Sequence, residues 1–105
     1  MPLLITDANT NVTGEELVTR GGKYEIKCWA DAWDGAQVEI QVFTKSPTTT
    51  AWIPLFDTVS GTIKLFTTNE QAIIDMVATG NRIRPVLSGA GGSTSNVNCE
   101  IRRVS

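Results

Sequence analysis

The sequence predicts an all-β fold: an antiparallel β-sandwich, jelly-roll-like or Ig-like, of about six to eight short strands with a polar N-terminal arm. Three observations point there. Apolar residues recur at every second position through most of the chain, the period of a half-buried strand. Turn-forming residues punctuate those runs at Asp34-Gly35, Ser60-Gly61, Gly80-Asn81 and the Gly/Ser-rich run 88–96, and the short strands recur at roughly ten-residue spacing. Finally, 105 residues, 41% hydrophobic and 19% charged, make one ordinary globular domain.

Residues 1–22 are expected to form an N-terminal arm or long loop. The run "DANTNVTGEELVTRGG" (7–22) is polar and lacks alternation, with Leu3 to Thr6 as a candidate first strand and 13–17 as a single helical turn. Residues 23–105 carry the sandwich. In 24–32, Tyr24, Ile26, Cys28, Ala30 and Ala32 share one face, and Glu25, Lys27, Trp29 and Asp31 the other. After Asp34-Gly35, Val38, Ile40 and Val42 oppose Gln37, Glu39 and Gln41. Two alternating runs joined through Asp-Gly predict a β-hairpin, because glycine accepts the positive φ of a tight turn.

"TAWIPLFDT" (50–58) reads as an edge strand, since Pro54 cannot donate to a ladder. In "GTIKLFTT" (61–68), Ile63 and Leu65 alternate with Lys64 and Phe66. Residues 69–81 fit either a short helix capped by Asn69 or a strand. Their β-branched content and the closing Gly80-Asn81 favour the strand. "RIRPVLSG" (82–89) and "NVNCEIRRV" (96–104) complete the sheets.

Reactive chemistry is not expected. The chain has no histidine, so it lacks the commonest general base and metal ligand. Cys28 and Cys99 fall on apolar phases of separate strands, which predicts reduced, buried thiols rather than a zinc site or a nucleophile. Asp31 and Asp34 lack dense calcium-loop spacing, and "GAGG" (89–92) is followed by neither a helix nor a lysine. No catalytic, cofactor or metal residue is therefore assigned.

A formal charge of −2 and scattered cations give no basic stripe for nucleic acid, with Arg82, Arg84, Arg102 and Arg103 the one grouping, placed on adjacent strands. No stretch is long and apolar enough to span a bilayer as a helix, and "MPLLITDANT" lacks the basic and apolar regions of a signal peptide. Trp29 and Trp33 share a polar phase and Trp52 opposes Ile53 and Leu55. Such rings serve as a secondary core, as anchors of a protein interface, or as stacking platforms for sugars. Trp29, Trp33, Trp52, Arg82, Arg84, Arg102 and Arg103 are the candidate interface residues.

The order "QVEIQVF", "TAWIPL", "GTIKLF", "GNRIRPVLSGAGGSTSNVNCEI" resembles small β-sandwich structural proteins of tailed bacteriophage virions over residues 36–104. That resemblance implies a non-enzymatic virion protein assembled in the host cytoplasm: a capsid decoration or cement protein, or a head-fibre or tail accessory part. Its implied partner is the major capsid protein lattice, bound by a homo-oligomer such as a trimer, with no cofactor. The alternative is a carbohydrate- or receptor-binding module of a fibre, carried by the three tryptophans.

Overall fold

The structure, a computed structural model, describes residues 3–20, 22–45, 50–57, 62–63, 65–76 and 82–104. Its described elements are all strands: β1 (Leu3–Ala8), β2 (Val12–Thr13), β3 (Leu17–Val18), β4 (Gly22–Trp29), β5 (Gln37–Lys45), β6 (Thr50–Pro54), β7 (Phe56–Asp57), β8 (Thr62–Ile63), β9 (Leu65–Phe66), β10 (Glu70–Met76), β11 (Arg82–Ser88) and β12 (Val97–Arg103). Seven of these have five or more residues, and the rest are two-residue pieces. The first sheet runs β1-β12-β4-β10, and the second runs β2-β11-β5-β6. In the second, β3 extends the β2 edge of β11 and β9 pairs with β5 on its β6 side. β7 and β8 form a separate ribbon.

Among the described residues every strand pairing is antiparallel, and the inward phases of both sheets meet in one core, as a sandwich requires. Ile26, Cys28, Cys99 and Ile101 from the first sheet pack with Val38, Ile40, Ile83 and Leu87 from the second, all essentially solvent-free. The alternation expected for 24–32, 82–89 and 96–104 is present, and 70–76 is the strand β10, as its β-branched residues favour. Pro54 ends the edge strand β6, opposite Gln41. The expected turns at Ser60-Gly61 and Gly80-Asn81 lie outside the described residues.

Four expectations are corrected. Within the N-terminal arm or long loop, the candidate first strand at Leu3 to Thr6 is present as part of β1. The helical turn expected at 13–17 is replaced by the short strands β2 and β3, and the segment is packed onto the sandwich. β1 pairs with β12, Leu4 and Ile5 are buried, and Gly14 N–H donates to the Pro85 carbonyl at 2.7 Å. The polar residues of 7–16 hide this because the bulges in β1 break its alternation.

The Asp34-Gly35 corner does turn tightly. Asp34 and Gly35 both have positive φ (43° and 80°), and Ala36 N–H donates to the Trp33 carbonyl at 2.8 Å. Yet it joins β4 of one sheet to β5 of the other and makes no hairpin. The loop before β12 intervenes: Asp31 N–H and Ala32 N–H donate to the Ser95 carbonyl, Ser93 N–H to Asp34 Oδ2, and Thr94 Oγ1 to the Trp33 carbonyl. These bonds capture the chain that a hairpin ladder would use.

In β9 the phase is reversed, with Phe66 fully buried and Leu65 exposed. Phe66 lies opposite inward-facing Val38, and Leu65 opposite outward-facing Glu39. Finally, Arg82 and Arg84 sit on β11 and Arg102 and Arg103 on β12, which belong to different sheets rather than adjacent strands.

Candidate interaction surface

Residues directly opposite in an antiparallel pair share a face. The outward face of the second sheet therefore collects Arg82 and Arg84 from β11, Glu39, Gln41 and Phe43 from β5, and Trp52 from β6. Phe43 and Trp52 meet edge to face, their ring centroids 5.2 Å apart at 63°. The Arg84 guanidinium lies 4.1 Å from the Trp52 ring centroid and that of Arg82 lies 5.2 Å from Phe43. Two cations and two rings thus interlock across three strands. Each exposed cation–π contact contributes about 0.5–1 kcal/mol, and the aromatic pair adds a similar amount.

Hydrogen bonds fix the cations. Arg84 Nε–H donates to Gln41 Oε1 at 2.9 Å, and Gln41 Nε2 donates to Glu39 Oε2 at 3.1 Å. Arg82 pairs with Glu16 at 3.2 Å, with both side chains exposed. The cluster is ordered without being covered.

The remaining candidates lie elsewhere. Trp29 is 37% exposed on the outward face of the first sheet, opposite Asn98. Trp33 packs against the core at the inter-sheet corner, and its Nε1–H donates to Asn69 Oδ1 at 2.8 Å. Arg102 shares the outward face of β4 and β12 with Glu25, its Nε–H donating to Glu25 Oε1 at 2.9 Å. Arg103 ends β12 opposite Tyr24, at the mouth of a cavity also rimmed by Arg20. So Trp52, Arg82 and Arg84 come together, while Trp29, Trp33, Arg102 and Arg103 do not join them.

Two members of the cluster were missed, Phe43 and Gln41. Phe43 was findable, because the outward phase Gln37, Glu39, Gln41 continues onto it. An aromatic on a polar phase is the signal. Arg20 precedes its strand and carries no such periodic mark.

Glu25 is 7% exposed and its carboxylate accepts from Arg102 and from Gln71 Nε2 at 2.9 Å each, with Lys27 Nζ at 3.5 Å. The Arg102 hydrogen bond, reinforced by the charges of Arg102 and Lys27, outweighs burial and holds its pKa below the ordinary value. Cys28 and Cys99 face each other across β4 and β12 as buried thiols not joined in a disulfide, with their sulfurs 3.5 Å apart. Among the described residues, no group of three or more His, Cys, Asp or Glu side chains could hold a metal ion. Scanned against protein-family models, curated proteins and solved structures, the chain matches none of them.

Proposed function

We propose that the protein is a non-enzymatic structural protein of a tailed-phage virion, of the capsid decoration or cement type, and that it grips the assembled capsid lattice with the outward face of its second sheet. The observation that carries this reading is the Arg82–Phe43–Trp52–Arg84 cluster. It gathers the residue types that dominate the energetics of protein interfaces and presents them already ordered. Preordered anchors lose little side-chain entropy on docking. The strand pattern of residues 36–104 supplies the virion context.

Cementing then works by mass action. Copies that bind only the assembled lattice favour it over its separated subunits, and a trimer meeting a local threefold position would add avidity. The glycan alternative has less behind it. Arg84 already lies over one face of the Trp52 ring and Trp33 packs against the core, so neither is a fully open stacking platform.

The test is co-sedimentation of the purified protein with expanded capsids, backed by mass spectrometry of purified virions. Wild type should sediment with capsids, and the Trp52→Ala/Arg84→Ala double variant should lose at least about tenfold in affinity, as truncating paired hot spots does. Undiminished binding by a folded double variant, or absence of the chain from virions, overturns the proposal.

A further inference from the structure

The chain has two cysteines, and the fold brings them, 71 residues apart, to one register position. β4 and β12 are the central strands of the first sheet, and Cys28 lies directly opposite Cys99 across them. Both side chains point into the core beside the inward pair Ile26 and Ile101, and they are 1% and 0% exposed. The Cys28 thiol donates to the Cys99 sulfur at 3.5 Å.

Residues opposite one another in an antiparallel pair have Cα atoms about 4.5 or 5.5 Å apart, according to whether they exchange backbone hydrogen bonds. A disulfide accepts Cα separations of about 4.4–6.8 Å. Either kind of pair falls inside that window, so rotation of the two side chains, without movement of the strands, can join the sulfurs.

We propose that Cys28 and Cys99 form a latent staple. They are thiols in a reducing compartment and become an intramolecular disulfide when the chain folds or opens in the presence of a small-molecule disulfide. One cysteine thiolate attacks the small disulfide and expels one thiol; the second attacks the resulting mixed disulfide and expels the other. Two protein thiols are oxidised, one small disulfide is reduced to two thiols, and the two cysteine protons end on the departing sulfurs. Burial decides when this happens. The folded chain offers an oxidant no approach to either sulfur, so exchange waits for β4 and β12 to separate. The same burial then shields the bond from reductants. Once formed, the bond closes a ring of chain that carries β5 through β11. Closing so long a ring removes open conformations from the unfolded state and stabilises the fold. The staple is independent of the capsid reading and uses none of the residues on the outward face of the second sheet.

The full-length chain is unfolded in urea with a dithiol reductant, then refolded either in a couple of oxidised and reduced glutathione or under reductant. Remaining thiols are alkylated after denaturation and counted by intact mass, the linkage is read by non-reducing peptide mapping, and stability is read by thermal melting. Oxidative refolding should leave a monomer with no alkylatable thiol and Cys28 joined to Cys99. Its melting temperature should exceed that of the reduced form by at least about 8 °C. Folded, reduced protein placed in the same couple should oxidise at least about tenfold more slowly than refolding chain, because exchange needs opening. Cys99→Ala treated identically should gain nothing, and the comparison of oxidised with reduced wild type reads the bond even if that variant does not fold. Two alkylatable thiols after oxidative refolding, or glutathione adducts or dimers in place of the internal link, overturn the proposal. So does an oxidised monomer that melts no higher than the reduced one, or folded protein that oxidises as fast as refolding chain.

Discussion

Glu25 shows how one buried carboxylate can tie three strands together. It stands on β4 and receives Arg102 from β12 and Gln71 from β10, with Lys27 beside it. A carboxyl whose folded pKa lies below its unfolded value adds stability above that value and loses it as pH falls through the folded pKa. The ordinary value here is 4.5, so this contribution should be intact at pH 7 and disappear as the solution is acidified below about 4.5. Urea titrations from pH 7 to pH 3 should give wild type a steeper acid decline than Glu25→Gln, which starts from a lower midpoint at pH 7. Parallel curves would mean the carboxylate is energetically idle. Gly14 makes a different point, about space. A Cβ there would sit 2.6 Å from the Leu4 carbonyl oxygen, 2.7 Å from Pro85 Cγ and 2.9 Å from Ile5 Cγ1. The first of these is backbone and cannot swing aside. Gly14→Ala should therefore cost about 1–3 kcal/mol, the usual penalty of overpacking. At about 4–8 °C per kcal/mol the loss is easily read in a thermal melt. An unchanged melting temperature would show that β1 and β11 can separate freely.

At the scale of elements, what was legible in the sequence is the inward phase of each long strand, and what was not is the partner. Ile26, Cys28, Val38, Ile40, Ile83, Leu87, Cys99 and Ile101 all point inward as alternation requires, because the period of two is a property of the strand alone. Partner choice depends on distant chain. Asp34-Gly35 satisfies every local demand of a hairpin, yet Ser93, Thr94 and Ser95 take the hydrogen bonds around it, and β4 and β5 separate into different sheets. Short strands fail for a related reason. Two residues give no period, so only the register with Val38 reveals that Phe66 is the buried one. The candidate cluster divides the same way: the phase of Trp52, opposite Ile53 and Leu55, was readable, but which side of the sheet that phase faces, and its convergence with Arg82, Arg84 and Phe43, required the β11-β5-β6 order. β1 carries the sharpest consequence. It covers one edge of β12 and contributes Leu4 and Ile5 to the core. Truncating one buried Leu or Ile costs about 2–5 kcal/mol, and domains have only about 5–15 in total. Deletion of residues 1–8 should yield a chain without cooperative unfolding by circular dichroism. A sharp melt near the wild-type temperature would show that β1 is dispensable.

Across the whole molecule the chain keeps changing sheets. It visits the first sheet with β1, the second with β2 and β3, the first with β4, the second with β5 and β6, and the second again with β9 after the β7–β8 ribbon. It then alternates through β10, β11 and β12. The first sheet is held by pairings distant in sequence: Cys28 lies opposite Cys99, a separation of 71 residues, and Asp7 N–H reaches Asn98 Oδ1 across 91. The central strands of the second sheet lie within that interval, so neither sheet closes without the other. Such a topology imposes a large loop-closure cost before long-range contacts reward it, and all-β domains of this kind refold in roughly milliseconds to seconds. Trp33 is a native reporter of that closure. Its ring binds Asn69, just before β10, and its carbonyl accepts from Thr94, just before β12, so its environment is complete only when both loops have docked. In stopped-flow dilution from urea, Trp33 fluorescence and far-UV dichroism should rise together on that timescale, and Trp33→Phe should remove most of the fluorescence change while leaving the dichroism rate intact. Dichroism that runs well ahead of the Trp33 signal would mean that each sheet assembles alone and the two dock afterwards. The crossing connections would then be a consequence of folding rather than its constraint.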